Sequence, residues 1–498
     1  MVVPSLLRRA GLVVSGAIVV ALTAATVWVA DSEPGPTPGT QAIPTYTVTA
    51  PTTSWVCAPA PTLPTVTAGS DIDYDPELGT GGGQVATAVE LMAWSASSQP
   101  QLRFGSVAEQ DLVDATTSTF ARAAVVDISE PAVGVVSSEA GDVPLVAGLS
   151  LARAESGDLR ALAVSTCQRP VTSAILVGGS TTLGASSRLI LTNPGQTVAT
   201  VALTGWSGTG PMPQIAPIVV PAGATRTLLL ETISLEQRLA IRLDISGGSI
   251  AAFLQDSSLD GLVAAGTEML SVAADPATTI TLAPAPLRTD ANAVLRLVNP
   301  QEDAATVSVD LLGAEGPQPL DGAQDFIIEP GAVVDVSLAG VPDGDYGLRV
   351  RGDVPITGAI RLTRAGEPGE ADPDTAPLDI AWLTATTPVE HGLLPLPGEL
   401  IDSAAVAMSN PGEGRVEVNV VAYDQGGSVS SSDTLTVDAG ATAAVTVPPE
   451  AVLLEFSGGP IVASAVLTAD AEDGPLISAI SIVDDPYSEQ VVTVRVSD

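Results

Sequence analysis

Stretches in which apolar and polar side chains alternate recur along most of this chain. Between Leu239 and Ile245 every second residue is leucine or isoleucine, and the residues between them include Arg242 and Asp244. A period of two places alternate side chains on opposite faces of a strand, which is the pattern of a half-buried β-strand. The pattern therefore predicts a mostly β protein.

A strand, an Asn-Pro pair and a second strand occur three times in the same order. The pairs are 106 and 111 residues apart, and they are Asn193-Pro194, Asn299-Pro300 and Asn410-Pro411. Proline fixes φ and asparagine tolerates turn geometry, so each pair predicts a turn. A glycine after the next short apolar strand predicts a second turn in each repeat, and these glycines are Gly223, Gly331 and Gly440.

Each repeat continues with two apolar strands on either side of a short segment. These segments are Ser246-Gly247-Gly248, Arg351-Gly352-Asp353 and Ser457-Gly458-Gly459. Because small and polar residues between two apolar runs are typical of tight turns, we expect a β-hairpin at each of the three.

The spacing of the repeats predicts tandem immunoglobulin- or fibronectin-like antiparallel β-sandwich domains. A repeat of just over 100 residues with about seven short strands has the size of such a sandwich. The predicted repeats are 171–275, 276–388 and 389–498, and a separate β domain at 55–170 precedes them.

The N-terminus carries the pattern of a membrane anchor. Arg8 and Arg9 precede an uncharged run at 10–30, which is long enough to cross a bilayer as a helix. A basic flank stays in the cytoplasm, so we expect a cytoplasmic tail at 1–9, a signal-anchor helix at 10–30 and an extracytoplasmic body. The alternative is a cleaved signal peptide and a secreted protein. Residues 31–54 are rich in Thr and Pro and predict an extended stalk.

The two cysteines lie at the two ends of the domain at 55–170. Outside the cytoplasm such a pair is expected to form a disulfide, so Cys57 and Cys167 predict a closed loop.

Composition removes several chemistries. The 498-residue chain has 19 basic residues, all of them arginine, against 57 acidic ones, so its net charge is −38. A chain without lysine has no Schiff-base or P-loop lysine, and a single histidine, His391, permits at most one histidine-based triad. A strongly acidic chain repels phosphate backbones, so we expect no nucleic-acid partner.

One acidic segment is a weak candidate for a calcium site. Carboxylates occupy alternate positions at Asp71, Asp73, Asp75 and Glu77, as in loops that bind Ca²⁺. An EF-hand loop that begins at Asp71 requires glycine at its sixth position, where this chain has Pro76. A solvated acidic loop is the alternative interpretation, and we expect no cofactor and no catalytic residue.

The segments Val177–Ser180, Arg188–Gly195 and Val219–Gly223, with the flanking cysteines, resemble an uncharacterised actinobacterial family of membrane-anchored or secreted envelope proteins. The resemblance implies an extracytoplasmic envelope location and assigns no catalytic residue. We therefore expect a non-enzymatic scaffold or binding protein of the bacterial cell envelope, anchored in the membrane, whose partner is an envelope protein or a cell-surface glycan. The alternatives are a surface adhesin and a carbohydrate-active enzyme with a carboxylate pair in the N-terminal domain.

Overall fold

A computed structural model describes residues 52–63, 83–94, 99–114, 116–137, 144–289, 291–369 and 372–484. These residues form 33 strands, and the described part of the chain contains a single helical element, a 3-10 turn at Leu230–Thr232. The prediction of a mostly β protein is confirmed. The strands fall into four groups in chain order, which we call blades 1 to 4.

The strands of blade 1 are β1 (Thr53–Cys57), β2 (Val85–Trp94), β3 (Gln101–Ser106), β4 (Gln110–Val113), β5 (Phe120–Val126), β6 (Ala132–Ser137), β7 (Leu145–Ala154) and β8 (Ala161–Thr166). Those of blade 2 are β9 (Ser173–Val177), β10 (Ala185–Asn193), β11 (Ala199–Ser207), β12 (Gly210–Pro211), β13 (Ile218–Val220), β14 (Ala224–Leu229), β15 (Leu239–Ser246), β16 (Ala251–Asp260) and β17 (Val263–Leu270).

The strands of blade 3 are β18 (Ala277–Leu287), β19 (Asn292–Val298), β20 (Ala305–Gly313), β21 (Gly316–Pro319), β22 (Phe326–Ile328), β23 (Val333–Ser337), β24 (Gly344–Ala365) and β25 (Leu378–Thr386). Those of blade 4 are β26 (Val389–Pro395), β27 (Ser403–Ser409), β28 (Val416–Tyr423), β29 (Val429–Val437), β30 (Thr442–Val445), β31 (Leu453–Ala471), β32 (Gly474–Ser481) and β33 (Val483–Asp484).

Each blade contains an axial sheet of four antiparallel strands and a second, covering sheet. The axial sheets have the strand orders β5-β2-β7-β8, β14-β10-β16-β17, β23-β19-β24-β25 and β30-β27-β31-β32. In blade 2, for example, Leu189 of β10 lies opposite Leu254 of β16, and both side chains are buried. The long strands β24 and β31 run through both sheets of their blades.

The last strands of the axial sheets pack against one another in a ring. Strand β8 contacts β17, β17 contacts β25, β25 contacts β32, and β32 returns to β8. The four blades therefore surround a common axis as in a four-bladed β-propeller. We call β8, β17, β25 and β32 the inner strands.

The prediction of separate immunoglobulin- or fibronectin-like sandwiches is wrong, because the hydrophobic cores cross from blade to blade. The core around Leu189 of blade 2 continues into Val298 and Trp382 of blade 3. The core of blade 4 likewise includes Leu149 and Leu162 of blade 1. Apolar surface that a separate sandwich would keep inside one repeat is buried between neighbours instead.

The predicted membrane anchor is not supported. None of the helical structure in the described residues is long and apolar enough to span a bilayer. The predicted helix at 10–30 lies outside the described residues, as do the tail at 1–9 and residues 31–51 of the stalk. The predicted single-pass location in the membrane is therefore withdrawn.

The three predicted hairpins are also wrong. Strands β15 and β16, on either side of Ser246-Gly247-Gly248, belong to different sheets. In blades 3 and 4 the single strands β24 and β31 continue through Arg351-Gly352-Asp353 and Ser457-Gly458-Gly459. The short segment thus carries the chain from the covering sheet to the axial sheet, so the strands on its two sides pair with different neighbours and not with each other.

Blade 4 closes the ring against blade 1 through aromatic side chains. Tyr423 packs on Trp94 with ring centroids 5.0 Å apart, and Trp94 packs on Phe120 at 6.4 Å. Gly427, in the turn after β28, has φ +78°, and a Cβ atom there would collide with the Phe120 ring. The turn therefore fits against blade 1 only with glycine at this position.

We expect Gly427→Ala to lower the free energy of unfolding by about 2–4 kcal/mol, because left-handed strain adds to the collision. Gly340→Ala is the matched control, since Gly340 has φ +89° and open space around its Cα. The control should lose only about 1 kcal/mol. Equal losses in urea denaturation of the two variants would show that the contact with Phe120 does not stabilise the ring.

Candidate functional site

The free edges of the inner strands face the axis. Two buried carboxyl groups accept hydrogen bonds from backbone N–H groups at these edges. The first is Glu268 of β17, which is 1% exposed. Its Oε1 accepts the N–H of Val164 at 3.1 Å and the N–H of Met269 at 2.8 Å. Its Oε2 accepts the hydroxyl of Ser478 at 2.6 Å, so Glu268 joins blades 1, 2 and 4.

The second carboxyl group belongs to Asp379 of β25, which is fully buried. Its Oδ2 accepts the N–H groups of Leu162 at 3.0 Å and of Ile477 at 2.8 Å. Its Oδ1 accepts the N–H of Ile380 at 2.9 Å. Asp379 therefore joins blades 1, 3 and 4 at the next level of the axis.

Burial raises the pKa values of both carboxyl groups. The pKa of Glu268 is held well above its usual range by burial, and the charge of Asp379 raises it further. Burial raises the pKa of Asp379 to about 8, although three N–H donors and the charge of Arg160 act against the rise. Acids with such pKa values are functional candidates when they lie in a cleft. These two lie inside the packed axis, where they satisfy free strand edges.

Arg160 lies next to the start of β8, at one end of the axis. Its side chain is buried and donates from Nε to Asp473 Oδ1 at 2.6 Å and from Nη2 to the carbonyl of Gly474 at 3.0 Å. These bonds join blade 1 to the turn before β32 and to the first residue of that strand, and the Arg160 side chain is buried at this end of the axis.

The other end of the axis opens into a cavity of about 340 Å³, which we call the axial pocket. It lies where the inner strands end, and all four blades contribute to its wall. Half-buried hydroxyl residues from every blade line it, and these are Thr166, Ser271, Thr384, Thr386 and Ser481. Met269 and Trp382 supply apolar surface to the wall.

The axial pocket carries little charge. Among its lining residues in the described part of the chain, the one charged side chain is that of the exposed Asp484. The indole N–H of Trp382 is bonded to Asp256 Oδ2 at 3.0 Å, and the guanidinium of Arg296 lies 5.2 Å from the ring centroid, so little of this 5% exposed residue is open to the pocket. The arrangement can bind a small polar molecule, and among the described residues of its wall there is no histidine or lysine that could activate a lining hydroxyl as a nucleophile.

The disulfide between Cys57 and Cys167 is confirmed. It joins the end of β1 in the covering sheet of blade 1 to the residue after the inner strand β8, and both cysteines are buried. The bond therefore ties the periphery of blade 1 to the axis.

The three Asn-Pro asparagines have a structural task. Each is fully buried, and in blade 2 the Nδ2 of Asn193 donates to the carbonyls of Thr197 and Val220 while its Oδ1 accepts the N–H of Gly195. Asn299 and Asn410 make the corresponding bonds in blades 3 and 4. The second set of turns has φ between +62° and +65° at Gly223, Gly331 and Gly440. These residues shape the blades and lie apart from the axial pocket.

The acidic calcium candidate, Asp71, Asp73, Asp75 and Glu77, lies outside the described residues. Within the described ranges, no cluster of three or more His, Cys, Asp or Glu side chains could hold a metal ion.

His391 lies in β26, where its Nε2 is 2.8 Å from Glu455 Oε1. Tyr423 donates its hydroxyl to Glu455 Oε2 at 2.6 Å. Both contacts lower the pKa of Glu455, with His391 as the larger cause. In blade 1 the buried Glu90 is paired with Arg122 at 2.9 Å, and burial raises the pKa of Glu90. The histidine and Glu90 are thus engaged in contacts near the junction of blades 1 and 4.

Sequence reasoning missed the residues that matter most at the axis. Glu268 is the one charged residue of β17, and Asp379 stands between Leu378 and Ile380. A carboxyl group in an apolar run is costly to bury unless it is hydrogen-bonded. An acidic residue inside an apolar strand is thus a sequence signal for a buried, hydrogen-bonded carboxyl group. The sequence does not identify its hydrogen-bond partners, because they come from other blades.

Comparisons with known proteins give one family. The model of a family of unknown function (DUF5719) matches residues 93–448, which include parts of all four blades. A comparison with curated proteins finds no match. Among solved structures, the crystal structure of Streptomyces avermitilis alpha-L-rhamnosidase complexed with L-rhamnose matches at 9% identity and a TM-score of 0.13. The match covers 74% of this chain and 53% of the rhamnosidase, so this chain spans about half of its length. A likeness this weak carries no argument.

Proposed function

We propose that this chain, which belongs to the family of unknown function DUF5719, is a non-enzymatic binding or scaffold protein of the bacterial cell envelope. Its binding site is the axial pocket, and it works outside the cytoplasm. The assignment to an actinobacterial envelope rests on the resemblance of segments such as Arg188–Gly195.

The observation that carries the proposal is the position of the axial pocket. Four blades converge on it, and each contributes a half-buried hydroxyl residue to one cavity. A concave site built from several elements with a few polar groups is the common form of a ligand pocket. The buried carboxyl groups of Glu268 and Asp379 lie below it and are occupied by backbone N–H groups, which favours binding over acid–base chemistry.

The disulfide supports the location outside the cytoplasm. Disulfides persist in oxidising compartments and are rare in the cytosol. The Cys57–Cys167 bond is buried in blade 1, as expected for a structural bond rather than a transient one.

The test is capture from a cell-envelope extract with the full chain as bait, followed by mass spectrometry and sugar analysis. We expect Ser271→Phe, which fills the axial pocket, to reduce the captured material at least about tenfold. Ser432→Phe is the matched control, because Ser432 is exposed on the distant strand β29. Both variants are first shown to unfold like the unmodified chain.

Equal capture by the two variants would exclude the axial pocket as the binding site. Cleaved glycan products in the presence of the chain would support the enzyme alternative instead. Cells that bind the chain through a surface remote from the pocket would support the adhesin alternative.

A further inference from the structure

We infer that the axial pocket binds a neutral polyhydroxyl ligand, such as a terminal sugar of an uncharged glycan. The inference rests on the proposed function and adds the chemical class of the ligand. It follows from the hydrogen-bonding groups, the charge and the size of the pocket.

Free strand edges direct backbone groups of the inner strands into the pocket. In β8 the N–H groups of Leu162 and Val164 point to the axis, whereas the N–H of Cys167 pairs with Gly148 on the neighbouring strand. Backbone groups of an edge strand alternate in direction, so the N–H and carbonyl of Thr166 point the same way as those of Val164.

The same alternation holds on the opposite side of the axis. In β32 the N–H of Ile477 points to Asp379, and the N–H of Ile482 pairs with Ala463 outside the axis. Ser481 lies four residues after Ile477, so its backbone N–H and carbonyl point in the same direction as those of Ile477. Glu268 and Asp379 accept N–H groups only below this level, so the edges at Thr166 and Ser481 face the pocket.

These edges and the lining hydroxyls supply both donors and acceptors. Serine and threonine hydroxyls donate one hydrogen bond and accept others, and each edge position offers an N–H and a carbonyl. A ligand that also carries donors and acceptors together, as a polyol does, can satisfy both kinds. A simple anion or cation can satisfy only one.

Charge argues against an ionic ligand. No arginine is among the described residues that line the axial pocket, and the chain carries a net charge of −38, so anions gain no partner there. A single lining carboxylate, that of Asp484, is too few for a metal ion. Trp382 and Met269 are 5% and 4% exposed, so they contribute a small apolar part of the wall and not a stacking surface.

The size of the pocket agrees with a small ligand. Its volume of about 340 Å³ is at the lower end of the range for small-molecule sites. The pocket thus has room for the end of a glycan, with the rest of a chain leaving through the open side.

The test uses the full chain on a glycan array that carries neutral, uronate-containing and phosphorylated glycans. The best neutral glycan is then titrated by calorimetry. We expect neutral glycans to bind, Ser481→Ala and Thr386→Val each to weaken binding about tenfold, and Ser271→Phe to abolish it. Ser432→Ala is the control and should leave the affinity unchanged.

Binding of only uronate or phosphorylated glycans would overturn the ligand class and leave the proposed function standing. The same holds if no glycan binds while Ser271→Phe still reduces capture from envelope extract. Neutral glycans that bind equally well to Ser271→Phe would overturn the site. If neither glycans nor envelope material depend on the pocket, both the inference and the proposed function are wrong.

Discussion

Replacement of Glu268 by alanine is expected to lower the free energy of unfolding by about 3–5 kcal/mol. The substitution leaves the buried N–H of Met269 without its acceptor and removes one of two acceptors from the N–H of Val164. Each buried polar group left unsatisfied costs about 1–3 kcal/mol, and the missing side chain adds a cavity term. Chemical denaturation at pH 7 measures the loss.

Glu268→Gln separates hydrogen bonding from charge. The glutamine Oε1 can accept the N–H groups of Val164 and Met269, and its Nε2 can donate to the hydroxyl of Ser478, which keeps the carbonyl of Val164 as an acceptor. The N–H groups of Val164 and Met269 then keep an acceptor, and the amide replaces the carboxyl group as the partner of Ser478. We expect this variant to lose less than about 1 kcal/mol at pH 5, so a loss as large as that of the alanine variant would contradict the assigned role.

The glutamine variant should also change the response to pH. Because the pKa of Glu268 is raised in the folded protein, the folded state binds more protons than the unfolded state above the ordinary value of 4.5. The protonated group therefore contributes stability that is fully present below pH 4.5. This contribution is lost as the pH rises from 4.5 towards the raised pKa of the folded protein, by at most about 1.4 kcal/mol per pH unit.

The stability of Glu268→Gln relative to the unmodified chain should therefore increase with pH over this window. Asp379, whose pKa is also raised, and the guanidinium of Arg160 face the same part of the axis in both proteins, so the comparison isolates Glu268 to first order. A difference that stays constant between pH 5 and pH 8 would show that Glu268 is already ionised in the folded protein.

The Asn-Pro turns could be predicted from the sequence because neighbouring residues determine them. The disulfide could be predicted because the chain has only two cysteines. Asn193 bonds to the N–H two residues ahead and to a carbonyl four residues ahead, so its effect is set by a short segment. Two cysteines outside the cytoplasm leave one intramolecular pairing, between Cys57 and Cys167. Alternating strands such as β15 followed from the same short-range pattern.

The arrangement of the blades could not be predicted in this way. A repeat of about 110 residues fixes the size of a unit, but a linear array and a closed ring have the same period. The evidence for the ring lies in contacts across the chain, such as Val164 with Glu268 and Leu162 with Asp379. In the sequence these are two of 57 acidic residues. Gly247 and Gly248 are equally ambiguous in the sequence, because glycines occur both in hairpin turns and in segments that cross from one sheet to the next.

Removal of the disulfide is expected to have an effect as large as that of Glu268→Ala. The bond closes a loop across 110 residues of sequence separation and restricts the unfolded chain. Loop-entropy arguments give about 4–5 kcal/mol for a loop of this length, and native disulfides typically contribute about 2–5 kcal/mol. We expect the double variant Cys57→Ala/Cys167→Ala to lose about 4 kcal/mol in denaturation by urea.

The position of the bond gives this loss a second consequence. Cys167 directly follows β8, whose N–H groups at Leu162 and Val164 are held by the two axial carboxyl groups. Freeing the end of β8 should loosen those bonds, so the double variant and Glu268→Ala are expected to be non-additive when combined. The coupling is measured from the four unfolding free energies. Strictly additive losses would show that the disulfide stabilises the chain only through its unfolded state, and that the axis is held independently of the edge of blade 1.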